Sequence, residues 1–92
     1  RLNFQESIIL ANSLNDYRLV IEVEIEWAEL FLKEKEFEEA KALYGQVLEK
    51  ANTFGLPREV ARVLYGIARA EFFLGHISQS FEFGYQSLQL LE

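Results

Sequence analysis

Four glutamates close together in the sequence are the first residues that could carry chemistry. They are Glu22, Glu24, Glu26 and Glu29. Carboxylates at this spacing can bind a divalent cation or form an acid and base pair, but such a site also needs a partnering histidine or the glycine turn of a Ca²⁺ loop. The segment has neither, so we interpret the four side chains as a solvated helix face, with a carboxylate site as the alternative.

The single histidine, His76, follows Gly75 in a predicted turn. We interpret it as an exposed turn residue, and contact with a ligand is the alternative. The sequence has no cysteine, no glycine-rich phosphate loop, no nucleophile elbow and no metal-ligand spacing. It therefore predicts no catalytic residue, no cofactor and no metal site.

The clearest feature of the sequence is a repeat at a separation of forty residues. The segment from Ala51 to Val60 matches the segment from Ala11 to Val20. Identical pairs at this offset are Ala11/Ala51, Asn12/Asn52, Arg18/Arg58, Val20/Val60, Val23/Val63, Ala28/Ala68 and Leu48/Leu88. A fixed period of roughly 20 to 50 residues is typical of stacked repeat units that share one core. The repeat therefore predicts a binding or scaffolding surface rather than a reaction.

The apolar spacing predicts helices along the whole chain. Residues 2–13 are predicted to form a short helix that stops near Leu14, so that residues 1–14 are the tail of a preceding repeat. Residues 19–25 nearly alternate apolar and acidic side chains, a pattern that also fits a strand. Residues 60–64 hold the same positions in the second unit and do not alternate, which favours helix over strand.

Each complete unit is predicted to be a pair of helices. In the first unit, residues 17–54, Asp16 caps a helix that runs to about Glu34. A second helix starts at Phe37 and is closed by Gly55, because glycine tolerates a left-handed backbone at a helix end.

In the second unit, residues 57–92, Pro57 begins a helix that runs up to Gly75. The last helix carries its apolar stripe at Ile77, Phe81, Gly84, Leu88 and Leu91. Further apolar residues lie on other faces of this helix. We therefore expect one or both ends of the array to pack against further repeats or against another copy.

The composition limits the class of protein. Ninety-two residues, of which 50% are hydrophobic, suffice for one small domain with a single core. A net charge of −6 argues against direct contact with nucleic acid or an anionic membrane, since both attract clustered lysine and arginine. No apolar run reaches the roughly 18 residues of a membrane span, and the lack of cysteine fits the reducing cytoplasm. Because the chain begins with Arg1 in a helical pattern, we expect it to be an excerpt of a longer chain.

In each predicted helix pair, a small residue of the first helix is followed seven residues later by a turn residue, then two further on by a large apolar residue, and three further on by a small one. Together with further large residues, they are Trp27, Ala28, Phe31, Lys35, Phe37, Ala40 and Tyr44 in the first unit, and Ile67, Ala68, Gly75, Ile77, Ser80 and Leu88 in the second. This pattern resembles the tetratricopeptide repeat family over almost the whole chain. The forty-residue period is longer than the family's usual one, and is similar to the variant in sensor regions of large bacterial transcription regulators and signalling proteins.

The resemblance implies an all-α fold of antiparallel helix pairs, stacked as a right-handed superhelical solenoid of about two and a half repeats. Small side chains where paired helices cross allow close approach, and large ones fill the space beside the crossing. The small residues are Ala28, Ala40, Ala68 and Ser80. Two positions of the second unit depart from the family pattern, because Glu71 stands where the first unit has Phe31 and Gly84 replaces the aromatic Tyr44. Either neighbouring phenylalanines complete the packing there, or the outer face of this unit expects a further unit.

In this family the first helix of each pair lines a concave surface, so the resemblance also implies a binding groove. Its residues by position are Glu22, Ile25, Glu26, Glu29, Leu32, Lys33, Arg62, Tyr65, Arg69, Phe72 and Phe73. The strongest candidates among them are Tyr65, Arg69, Phe72 and Phe73. Exposed aromatics beside an arginine dominate the binding energy at many protein interfaces. The competing interpretation is that Phe72 and Phe73 belong to the core.

Glu29 and Arg69 hold equivalent positions on neighbouring first helices, so we expect them to lie near each other, where an ion pair can form, and interpret them mainly as part of the electrostatics of the groove. Some family members hold a C-terminal carboxylate with a lysine and an asparagine. The corresponding positions read Ile25, Glu29, Tyr65 and Arg69 in this chain, which disfavours carboxylate capture.

The sequence thus predicts a cytoplasmic scaffold that binds a protein or peptide in the concave groove and has no catalytic activity. One alternative is the sensor or oligomerisation region of a multidomain bacterial transcription or signalling regulator. Another is a non-catalytic helical segment of a larger enzyme whose chemistry lies elsewhere.

Overall fold

A computed structural model of the protein describes residues 4–13 and 16–91 as a succession of α-helices. The helices are α1 (Phe4–Ser13), α2 (Tyr17–Lys33), α3 (Phe37–Thr53), α4 (Pro57–Phe73) and α5 (Ile77–Leu91). No strand occurs within the described ranges, so the all-α prediction is confirmed and the strand alternative for residues 19–25 is wrong. The predicted helix end at Leu14 lies outside the described residues. None of the described helices is long and apolar enough to cross a membrane.

The turns between the long helices share one geometry. Helices α2 to α5 begin at residues 17, 37, 57 and 77, so each helix and its following turn occupy twenty residues. Each turn has one residue of positive φ, which is Lys35 at 64°, Gly55 at 64° and Gly75 at 86°. In each turn the next N–H donates back to the carbonyl five residues earlier, which closes the helix. The prediction that Gly55 closes α3 is confirmed.

The helix starts are also set locally. The Asp16 carboxylate accepts a hydrogen bond from the Leu19 N–H at 3.0 Å, which confirms it as the cap of α2. Pro57 occupies the first turn of α4, where its missing N–H costs nothing. At the other end of the chain, the Phe4 ring of α1 stacks on Trp27 of α2 with 5.9 Å between ring centroids.

The main core lies where α4 packs against α2 and α3. Tyr44 of α3 is the largest fully buried side chain, and its ring lies directly over Gly66 of α4. A Cβ added at Gly66 would lie 2.6 Å from two carbons of that ring, so only glycine allows the helices to approach so closely. Burial and then the charge of Glu29 raise the pKa of Tyr44 to about 12, which keeps its hydroxyl protonated.

The helices α4 and α5 pair through a seam of small residues. Ser80 donates a hydrogen bond from Oγ to the Ala68 carbonyl, and Ser87 donates one from Oγ to the Ala61 carbonyl, both at 2.8 Å. Because residue numbers rise on α5 while they fall on α4, the two helices are antiparallel. The predicted close crossing at Ala68 and Ser80 is therefore present, and both serine hydroxyls are satisfied within the seam.

Two buried glutamates join neighbouring helices through lysines. Lys50 of α3 donates to both carboxylate oxygens of Glu24 at 2.9 and 3.0 Å. Lys41 of α3 donates to Glu71 Oε1 at 3.0 Å, and Nδ1 of His76 lies 3.0 Å from the same oxygen. Burial alone would raise the pKa of Glu71, but the hydrogen bonds from His76 and Lys41 outweigh it and hold the pKa below its usual value. Glu71 thus occupies the position at which the family pattern has an aromatic residue, as a buried carboxylate with charged partners. His76 is an exposed turn residue, as predicted.

Replacing Gly66 by alanine tests the contact with Tyr44. Gly66→Ala should lower the free energy of unfolding by about 1–3 kcal/mol, because the added methyl group overlaps the Tyr44 ring. The control is Gly45→Ala on the exposed side of α3, where an added Cβ meets nothing within 4 Å. It should raise the free energy by about 0.5–1 kcal/mol through helix propensity. Urea unfolding measures both, and equal stabilisation by the two variants would contradict the packing described above.

The ion pairs of Glu71 make stability depend on pH. Because the folded-state pKa lies below the unfolded value of 4.5, this contribution is fully present above pH 4.5 and is lost as the pH falls through the folded-state pKa. Glu71→Gln should therefore be less stable than the wild type at pH 7, and the difference should shrink toward pH 3. Glu82→Gln on α5 serves as the control for the change of pH itself, since Glu82 is exposed and lies beyond the first turn of its helix. A deficit of Glu71→Gln that is the same at both pH values would refute the assignment.

Candidate functional site

The eleven groove residues predicted from the sequence lie on α2 and α4, and the structure divides nine of them between two surfaces. The polar strip consists of Glu22, Glu26, Glu29, Lys33, Arg62 and Arg69. The α4–α5 groove, at the C-terminal end of the described helices, contains Tyr65, Phe72 and Phe73 and is bordered by the two arginines of the strip. The two surfaces therefore meet along α4.

Arg62 connects α2 and α4 within the polar strip. Its Nη1 donates to Glu22 Oε2 at 2.9 Å, and its Nη2 lies 3.6 Å from Glu29 Oε2. Partial burial acts to lower the pKa of Arg62, but the hydrogen bond and charge of Glu22, followed by those of Glu29, raise it above its usual value. These side chains are partly exposed, and such pairs contribute only about 0–1 kcal/mol. These contacts place the positive charge of Arg62 on α4 opposite the negative charges of Glu22 and Glu29 on α2.

Glu29 and Arg69 lie near each other, as expected, since both line one cavity of the polar strip. The guanidinium that approaches Glu29 is that of Arg62, and no ion pair joins Glu29 to Arg69 in the part of the chain that the structure describes. The Arg69 guanidinium instead lies over the Tyr65 ring, 5.7 Å from its centroid. A cation–π contact of this kind holds the arginine at the border of the groove, with its charge still accessible to a ligand.

A small cavity of about 390 Å³ lies on the polar strip. Its lining residues are Phe4, Glu26, Glu29, Leu30, Lys33 and Arg69. Carboxylates and cations alternate around it, so it lacks the single sign of charge that would select a charged ligand. Across residues 4–13 and 16–91, no group of three or more histidine, cysteine, aspartate or glutamate side chains could hold a metal ion.

The α4–α5 groove is larger and almost entirely apolar. It encloses about 850 Å³. One wall is formed by Tyr65, Phe72 and Phe73 of α4, and the other by Phe81, Tyr85, Leu88 and Leu91 of α5. The floor is the small-residue seam of Ala61, Ala68, Ser80, Gly84 and Ser87. The hydroxyl groups of the floor serines donate their hydrogen bonds to carbonyls of α4. They are therefore not available as donors to a ligand.

The aromatic wall on α4 is exposed but braced. Phe72 is 56% exposed and Phe73 is 55% exposed, so neither is a core residue in this chain. The Phe73 ring stacks on Phe37 at 4.9 Å between centroids, and it meets Phe72 edge to face at 5.7 Å. Aromatic side chains held in this way lose little conformational entropy on binding, which suits them as anchors for a partner.

Two residues that the family resemblance placed in the groove are wrong as ligand contacts. Ile25 and Leu32 of α2 are buried in the core, because α4 covers them. The equivalent residues on α4, Tyr65 and Phe72, are exposed, and no helix of residues 4–13 or 16–91 covers them. The sequence predicted that the apolar last helix packs against something further, but it did not assign Phe81, Tyr85 and Leu88 to the groove, although small residues at 80, 84 and 87 carried that signal.

Comparison with known proteins provides no relative for this surface. No protein-family model matches the chain, and no curated protein and no solved structure matches it either.

Proposed function

We propose that the chain is a non-catalytic helical-repeat scaffold that binds a protein or peptide, with the α4–α5 groove as its main contact surface. The observation that carries this proposal is the groove itself, an exposed apolar trough with aromatic walls. Exposed aromatic and aliphatic side chains that line one open groove, with arginines at its border, are typical of surfaces that bind another protein.

Regular spacing supports a tetratricopeptide-like arrangement of stacked helix pairs, about two and a half of them, in a right-handed solenoid. The helices recur every twenty residues with the same turn geometry, so residues forty positions apart lie at equivalent places in successive helix pairs. Ala28 and Ala68 are both buried at helix crossings. Glu22 of the first unit pairs with Arg62, which holds the equivalent position in the second unit. Each pair would then present its first helix to the same side.

The shape of the groove favours a polypeptide as the ligand. Its α4 wall extends from Arg58 to Phe73, which at 1.5 Å per residue is roughly 22 Å. An open trough of this length accommodates several side chains of a bound segment in succession. Arginine, tyrosine and phenylalanine are enriched where protein interfaces concentrate their binding energy. The net charge of −6 and the polar strip of mixed sign do not favour a nucleic-acid backbone.

Removal of the anchors tests the proposal. The probe is a set of peptides selected from a random display library on the wild-type protein. Phe72→Ala should weaken these peptides by about tenfold or more, and Arg69→Ala by about three- to tenfold, because both side chains border the groove. Leu90→Ala is the control, since Leu90 is an exposed α5 residue that lies outside the groove.

Fluorescence anisotropy measures the affinities, and circular dichroism measures the thermal midpoint. Phe72→Ala and Arg69→Ala should leave the midpoint nearly unchanged. The proposal fails if both variants lower the midpoint by many degrees, since the residues would then belong to the core. It also fails if the selected peptides bind Phe72→Ala as tightly as the wild type.

A further inference from the structure

The α4–α5 groove has a filled counterpart within the same molecule. Helix α4 occupies the groove between α2 and α3. Each position that lines this filled groove has an equivalent in the open groove forty residues later in the sequence. In the filled groove they include Ile25, Leu32, Ala40, Tyr44, Val47 and Ala51. In the open groove the same positions are Tyr65, Phe72, Ser80, Gly84, Ser87 and Leu91.

Exposure separates the two grooves. Ile25, Leu32 and Ala51 are 0%, 5% and 0% exposed and belong to the core that α2, α3 and α4 share. Their counterparts Tyr65, Phe72 and Leu91 are 58%, 56% and 66% exposed. The chain therefore contains its own example of what covers such a groove, which is an amphipathic helix parallel to the first helix of the pair.

The floor of the open groove specifies one side chain of that helix. In the filled groove, Tyr44 projects from the floor and its ring lies over Gly66 of α4. In the open groove Gly84 stands at the position of Tyr44, and a Cβ added there meets only the Ala68 Cβ, at 3.9 Å. The large side chain is thus missing from the floor. A covering helix must supply it from its own side, at the position where α4 has Gly66, or a void remains.

The border of the groove specifies a charge. In the filled groove, Glu22 and Glu29 of α2 both face Arg62 of α4. At the same offset Arg62 and Arg69 replace the two glutamates, so the sign is reversed. A covering helix that follows the same geometry brings its own residue at the Arg62 position toward these two arginines. Because Glu22 and Glu29 already compensate Arg62, Arg69 is the main charge that attracts a carboxylate and repels a cation there.

Together these features describe the occupant. We propose that the α4–α5 groove binds an amphipathic α-helix of a partner protein, oriented like α4, with a large apolar side chain over Gly84 and a carboxylate four residues earlier facing Arg62 and Arg69. This inference rests on the proposed function and names the class of ligand.

The demands of the groove exclude the first helices of a second copy as a good fit. At the two specified positions α2 has Glu22 and Glu26, so it would place a carboxylate over the hole at Gly84. Helix α4 has Arg62 and Gly66, so it would bring a cation to the arginines and leave the hole empty. Neither first helix of a second copy therefore meets both demands of the groove.

A designed helix tests the inference on the full chain. The probe is a synthetic peptide with the α4 sequence, residues 57–73, that carries Arg62→Glu and Gly66→Phe. It should bind at least tenfold more tightly than the unmodified α4 peptide in a calorimetric titration, and each single change should give an intermediate affinity.

The reciprocal change in the protein is the matched control. Gly84→Tyr restores the side chain of the filled groove, so it should weaken the Phe-bearing peptide by at least tenfold and improve binding of the Arg62→Glu peptide that keeps Gly66. Arg69→Glu should weaken both Glu-bearing peptides. An equal affinity of the wild type and Gly84→Tyr for the designed peptide would overturn the inference, whereas library peptides that still depend on Phe72 would leave the binding function intact.

A second copy in the groove gives a different result. Sedimentation equilibrium of the wild type would then show a dimer that Gly84→Tyr or Phe81→Glu dissociates, and the assignment to a heterologous helix would be wrong. If neither the designed helices nor the library peptides bind, the inference and the proposed function fail together.

Discussion

The packing of the Tyr44 ring over Gly66 is the contact on which the arrangement of the other helices depends. A ring of this size can be buried between two helices only where one of them has no side chain, so the pair sets both the spacing and the register of α3 and α4. Once α4 is seated, its opposite side is fixed in space. The arginines, the aromatic wall and the seam with α5 all take their positions from that side.

The ion pairs between helices are of two kinds, those with a buried carboxylate and those at the surface. Glu24 and Glu71 are buried carboxylates, which would be costly without a partner, and each is paired with a lysine of α3 that remains partly exposed. The exposed contacts of Arg62 contribute little to stability, but they hold the charged side chains of the polar strip in a defined order. The pairs with a buried carboxylate thus hold the helices together, while the exposed ones determine which charges a ligand meets.

The sequence was sufficient for the helices, their turns and the close crossings, because these depend on local spacing and on a repeat that can be checked against itself. It was not sufficient to tell which apolar residues have a neighbour over them. Ile25 and Tyr65 hold the same position in the two units, yet α4 covers the first and nothing in the described residues covers the second. The ion-pair partner of Glu29 could not be read from the repeat either, since equivalence along the chain indicated Arg69 while the guanidinium that reaches Glu29 is that of Arg62.

The single-sided support of α5 has a thermodynamic consequence. Ser87 is the one residue of α5 that is fully buried, and the helix rests on α4 alone among its described neighbours. Local opening of α5 therefore costs less free energy than opening of α2, α3 or α4. Any molecule that touches α4 and α5 at once must raise that cost by mass action, so occupancy of the trough and the order of the terminal helix are linked equilibria.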